Sequence, residues 1–113
     1  MIFKAKAALA SLCLAAAFAA DPAAASSQGP GLASSISTGS DGSVWFSHSG
    51  SRIGSLPSCA DPNGVWLFNV NTPGGQAMLA NLLSATASGK AVSIVGSGTC
   101  TSGHEAVVYI VGP

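Results

Sequence analysis

Residues 59–100, CADPNGVWLFNVNTPGGQAMLANLLSATASGKAVSIVGSGTC, carry the reading that decides the fold: strand, helix and strand between two cysteines. The helix is marked at both ends. Thr72-Pro73 supplies a capping hydroxyl followed by a proline at the first helical position, where a missing N–H is harmless. Gly89 offers the left-handed residue that ends a helix, and Lys90 lies where its charge favours the negative end of the helix dipole. Between these ends Met78, Leu79, Leu82, Leu83 and Thr86 recur at three- and four-residue spacing, with Gln76, Asn81, Ser84 and Ser88 on the other side. The spacing predicts a helix of about 16 residues, roughly 24 Å long.

Working outward, Asp61-Pro62-Asn63-Gly64 is a strong turn signal and Val65 to Val70 reads as a buried strand. After the helix, Val92 and Ile94 face one way in a strand from Ala91 to Val95, and Gly96 and Gly98 predict a bend or bulge. Thr101 to His104 turns the chain into a final strand, Ala106 to Val111. Upstream, Leu32 to Thr38 and Val44 to Ser47 form a hairpin across the turn Gly39-Ser40-Asp41-Gly42. Ile53 to Cys59 is a short extended segment that Pro57 confines to an edge. The order is β-β-β-α-β-β. One helix cannot cover a broad flat sheet but can plug a curled one, so the expected fold is mainly β with one helix, a small OB-type Greek-key barrel. A two-layer α+β sandwich is the alternative. Either buries Leu79, Leu82 and Leu83 against Trp66, Phe68, Val92, Ile94 and Val108.

Lys4 and Lys6 precede an apolar run from Ala7 to Ala19, the pattern of a signal peptide over residues 1–19 that is too short to span a bilayer. Small residues permit cleavage after Ala19 or as late as Ala25. Residues 20–31, rich in Ala, Ser, Gly and Pro, read as a flexible lead-in to a single domain over 32–113. Much of the 48% hydrophobic content is the alanine of the leader, so the remaining chain is far more polar than that figure suggests. It holds Arg52 and Lys90 against Asp41, Asp61 and Glu105, with Asp21 added if cleavage is early. So few cations exclude phosphate neutralisation, and with it nucleic acid, as well as a polybasic membrane-surface role. Cys59 and Cys100 alone survive removal of the leader, and an exported chain meets an oxidising compartment, so one disulfide between them is expected. The expected location is secreted or periplasmic.

Catalytic patterns are missing: there is no GxSxG elbow, phosphate loop, HExxH or paired-carboxylate motif. The cysteines lack the spacing of a thiolate metal site, so neither a metal nor a cofactor is expected. His104-Glu105 reads as an ordinary turn pair, since neighbours in an extended segment point to opposite faces. His48 lies among serines as an exposed loop residue. It and the aromatics Trp45 and Tyr109 are the candidate binding residues, with no catalytic residue assigned. A surface of Ser, Thr, Asn and Gly suits neutral polyhydroxylated ligands.

Cys59, Trp66, the helix opening Gln76-Ala77-Met78 and the stretch Ser88-Gly89-Lys90-Ala91-Val92-Ser93-Ile94 together resemble the region around the single helix in the B subunits of subtilase cytotoxin and its pertussis-type relatives. They are also similar to short exported bacterial proteins that share a Cys…Trp…helix…Gly-x-x-Val-x-Ile…Cys pattern. The resemblance covers about the last 60 residues and implies an OB-type barrel, a closing disulfide, a homopentamer, a catalytic partner chain and recognition of host or surface glycans. It carries no glycan-contacting residue onto a named position. The expectation is a secreted non-catalytic binding module of toxin B-subunit type, with an envelope structural or interaction protein as the alternative and a small hydrolase third.

Overall fold

The structure, a computed structural model, describes residues 25–61 and 64–112. The leader expected over residues 1–19, the first part of the lead-in, and Pro62 and Asn63 of the predicted turn lie outside the described residues. Seven strands and one helix follow in the order β1 (Ser26–Gly31), β2 (Ala33–Thr38), β3 (Ser43–His48), β4 (Arg52–Gly54), β5 (Val65–Asn69), α1 (Pro73–Ser88), β6 (Val92–Thr101) and β7 (His104–Val111).

The strands hydrogen-bond in the order β2-β3-β5-β7-β6-β1-β4. Only Leu32 separates β1 from β2, so they are one bent strand whose halves stand at the first and the next-to-last place in this order. The sheet therefore closes on itself, with β1 on β6 and β2 on β3. Closure decides for the OB-type barrel against the two-layer sandwich. All contacts are antiparallel except β5 with β7, which run parallel and meet at one registered pair, Leu67 with Ala106. Short β4 adds an outer edge strand to β1.

Strand β1 corrects the expectation of a flexible lead-in, because residues 26–31 pair with both β6 and β4. Its inward positions, Ser26 and Gln28, are polar, so no apolar alternation betrays the strand. In β3 the alternation is plain: Val44, Phe46 and His48 point inward, and Phe46 meets Phe68 edge to face at 6.0 Å between ring centroids. Across the β2–β3 turn, the Ser43 N–H donates to Asp41 Oδ1 at 3.0 Å and holds that carboxyl below the usual aspartate range. Its support for the turn is present above the ordinary aspartate value and fades as pH falls through the lowered one.

The helix begins and ends as its sequence predicts. Thr72 Oγ1 accepts from Gly75 N–H at 3.0 Å, and Gly89 adopts φ 67°. The N–H groups of Gly89 and Lys90 reach back to the Thr86 and Ala85 carbonyls, the paired closure of a Schellman turn. Its buried face differs from expectation. Gly75, Leu82 and Ala85 are buried and Met78 and Leu79 pack beside them, whereas Leu83 is 47% exposed and Thr86 is exposed. At 100° per residue Leu83 lies a quarter-turn off this stripe, and the small residues mark where the helix presses closest to the strands. A Cβ on Gly75 would overlap the Asn69 carbonyl. Asn81, expected on the solvent side, is half-buried and donates to the Ile110 carbonyl at 3.2 Å, tying helix to last strand.

Leu82 is fully buried against Val44, Phe46, Trp66, Phe68, Val92, Ile94 and Val107. Leu82→Ala should therefore lower stability by about 3 kcal/mol, and Leu83→Ala by about 0.5 kcal/mol, in urea titrations. Equal losses would place the helix face wrongly. The last strand also departs from expectation: Val107 is buried and Val108 is 42% exposed. Two register shifts between β6 and β7, at Gly96, carry Glu105 and Val107 to the inside instead.

Cys59 and Cys100 form a disulfide across 41 residues, joining the loop after β4 to the end of β6. In the chain-entropy view a loop of this size contributes roughly 4 kcal/mol. No helix among the described residues is long and apolar enough to cross a membrane.

Candidate functional site

Two regions collect polar side chains. The first lies inside the barrel, where β3 ends and β5 begins. Glu105, fully buried, accepts four hydrogen bonds: from the Ser26 N–H at 3.0 Å, the Ser26 hydroxyl, Arg52 Nη2 at 3.0 Å and the Gly98 N–H at 3.1 Å. Arg52 also donates to the Asp61 carbonyl at 2.7 Å, and its guanidinium lies 3.8 Å from the centroid of the Trp66 ring. Trp66 Nε1 donates to Gln28 Oε1 at 2.6 Å, and Gln28 Nε2 donates to the carbonyls of His48 and Gly50. His48 Nε2 donates to the Val92 carbonyl at 2.8 Å while Nδ1 accepts from the Gly50 N–H at 3.1 Å, an arrangement that fixes the ring tautomer.

This layer is closed and saturated. Each charged group has an opposite charge or an aromatic face, and each buried side-chain nitrogen and oxygen of the network has at least one partner. Gly96 makes the room, since a Cβ there would overlap the Glu105 carboxylate. The expected turn pair His104-Glu105 is thus replaced by a β7 residue at the heart of the interior. The expected exposed loop residue His48 is buried. One buried ring nitrogen, His104 Nδ1, has no partner among the described residues.

The second region is an open cleft of about 300 Å³ between β3, β5, the start of α1 and the β6–β7 hairpin. Leu67, Phe68, Met78 and Val107 form its apolar wall, and Ser43, Asn69, Thr72 and Thr101 its polar rim. No charged side chain lines it. Thr72 Oγ1 already accepts the helix cap bond but retains its proton to donate. The Thr101 hydroxyl makes no hydrogen bond among the described residues, whereas the Ser43 hydroxyl is engaged with the Asp41 carboxylate. Such a cleft can grip a neutral ligand that presents both a hydrophobic face and hydroxyls.

The three candidate residues do not converge. Trp45 is half-buried on the outward face of β3, between Ser37 of β2 and Leu67 of β5. Tyr109 is 62% exposed on β7, opposite Val95. None of Trp45, His48 and Tyr109 lines the cleft, although Trp45 is the cross-strand neighbour of its wall residue Leu67. The rim was hidden in sequence because Val65 to Val70 reads as uniformly buried, which leaves no outward face for Asn69. The usable signal was pairing: Ser43 stands opposite Asn69 across β3 and β5. Among the described residues no three His, Cys, Asp or Glu side chains gather as metal ligands. Compared with protein-family models, with curated proteins and with solved structures, the chain matches none.

Proposed function

We propose that this chain is an exported, non-catalytic binding module whose cleft takes a neutral, hydroxyl-bearing ligand of the glycan class. The observation that carries this reading is the uncharged cleft, with the unspent hydroxyl of Thr101 and the donor-capable hydroxyl of Thr72 set over an apolar wall. Sugars present that combination, polar edges and a weakly apolar face. A non-catalytic role is supported by the fate of two groups with acid–base chemistry, His48 and Glu105, which are sealed in and committed to structural hydrogen bonds. Titration calorimetry of the exported protein against a panel of neutral oligosaccharides tests the reading. Thr101→Trp, at an exposed rim position, should weaken a detected ligand at least about tenfold without moving the thermal midpoint. Failure of every neutral glycan to bind, or undiminished binding by the variant, would sink it.

A second reading, self-association or docking within the cell envelope, is favoured by one further observation. Val108, Tyr109 and Val111 are exposed along β7, whose registered contact with β5 is limited to Ala106. Pairing between copies along that stretch would cover it, and a ring such as a pentamer closes by a contact of this heterologous kind. Light scattering at micromolar concentration should then give a mass several times that of one chain. Val111→Lys should return it to the monomer with the fold intact. A catalytic partner chain belongs instead to the first reading, as a toxin B subunit would require, and is tested by co-purification after export.

A further inference from the structure

The buried carboxylate of Glu105 points to where the exported chain begins. Ala23 and Ala25 place small side chains three residues and one residue before the Ala25–Ser26 bond, the positions read by an export signal peptidase. Strand β1 starts at Ser26, and Ala25 is exposed and outside it. Ser26 itself is 3% exposed. Its main-chain nitrogen lies 3.0 Å from Glu105 Oε2, its hydroxyl donates to Oε1, and Arg52 Nε donates to that hydroxyl at 2.9 Å.

We propose that the chain is cut between Ala25 and Ser26 and that the freed α-ammonium of Ser26 becomes a buried partner of the Glu105 carboxylate. The step is a hydrolysis. Water adds across the peptide bond, its oxygen going to the Ala25 carbonyl carbon, which departs as a carboxylate, and both of its protons to the Ser26 nitrogen, whose N–H becomes an ammonium. An uncut chain offers Glu105 Oε2 a single amide N–H. The ammonium offers three donors and adds a positive charge to a hydrogen bond whose acceptor is already ionised. Arg52 leaves room for this second cation, because its own charge is shared with the Trp66 ring and the Asp61 carbonyl. A cut after Ala19 would instead carry the charge six residues away and leave an amide at Ser26.

Export of the full-length chain followed by mass spectrometry gives the first result: the processed protein should begin at Ser26, and a start at any other residue overturns the proposal. The second concerns the folded product. Its α-amine should react with an amine-acylating reagent at neutral pH at least tenfold more slowly than that of a chain beginning at Ala25, whose terminus lies one residue outside the network. The Ala25-start chain keeps the Ser26 amide N–H and so should fold. Equal rates would show that the Ser26 terminus is free in solvent and overturn the ion pair. Neither outcome depends on what occupies the cleft.

Discussion

Glu105→Ala is expected to lower stability by about 3–5 kcal/mol, seen as a fall in urea midpoint at unchanged slope, because it strands Arg52 without its counter-charge in the interior. The pair sits at side-chain exposures of 5% for Arg52 and 0% for Glu105, so water cannot replace the missing partner. The Ser26 and Gly98 N–H groups would lose their acceptor at the same time. Replacing both members, Arg52→Met with Glu105→Leu, removes the unpaired charge but leaves those two donors unsatisfied. The double variant should therefore recover part of the loss and not all of it. A double variant as unstable as the sum of the singles would mean that the two side chains act independently, contrary to the geometry.

Trp66→Ala should cost about 4 kcal/mol or more, because three effects coincide at one fully buried residue. A large cavity opens beside Leu82 and Phe46, Gln28 Oε1 loses its donor, and Arg52 loses the ring it stacks on. Trp66→Phe separates the contributions: it keeps most of the volume and an aromatic face while deleting the N–H, and should cost about 1–3 kcal/mol. Denaturant unfolding followed by the fluorescence of Trp45 checks the first variant, since that residue remains as a probe. A loss under 1 kcal/mol for Trp66→Ala would place the residue outside the core.

What was legible in the sequence was what local chemistry determines. The helix announced itself through Thr72, Pro73 and Gly89, whose roles depend only on neighbours a few residues away. The hairpin at Asp41 and the strand containing Trp66 were legible for the same reason. Strand β1 was not, because Ser26, Gln28 and Gly29 owe their extended form to partners in β4 and β6 that lie far along the chain. Polar side chains at inward positions erased the alternation on which strand recognition rests. Glu105 was hidden by the same effect, since a carboxylate beside a turn ordinarily faces water. Its burial follows only once Arg52 and Gly96 are known to converge on it. The cleft shows a further limit: its walls come from separate strands and the helix, and no linear motif encodes that meeting.

Because β1 and β2 are one strand bent at Leu32, the earliest part of the barrel to be made is also the part that must wait longest. Ser27 pairs with Val95, and Glu105 meets Ser26 from 79 positions away. A chain delivered N-terminus first can form the β2–β3 hairpin and extend it to β5, but the ring stays open until β6 and β7 arrive. Loop closure over such a span slows folding relative to local contacts. The ordering has a practical consequence: truncation anywhere before β7 should yield an open half-barrel with bare strand edges, prone to cross-pairing with other copies, and never a smaller stable domain.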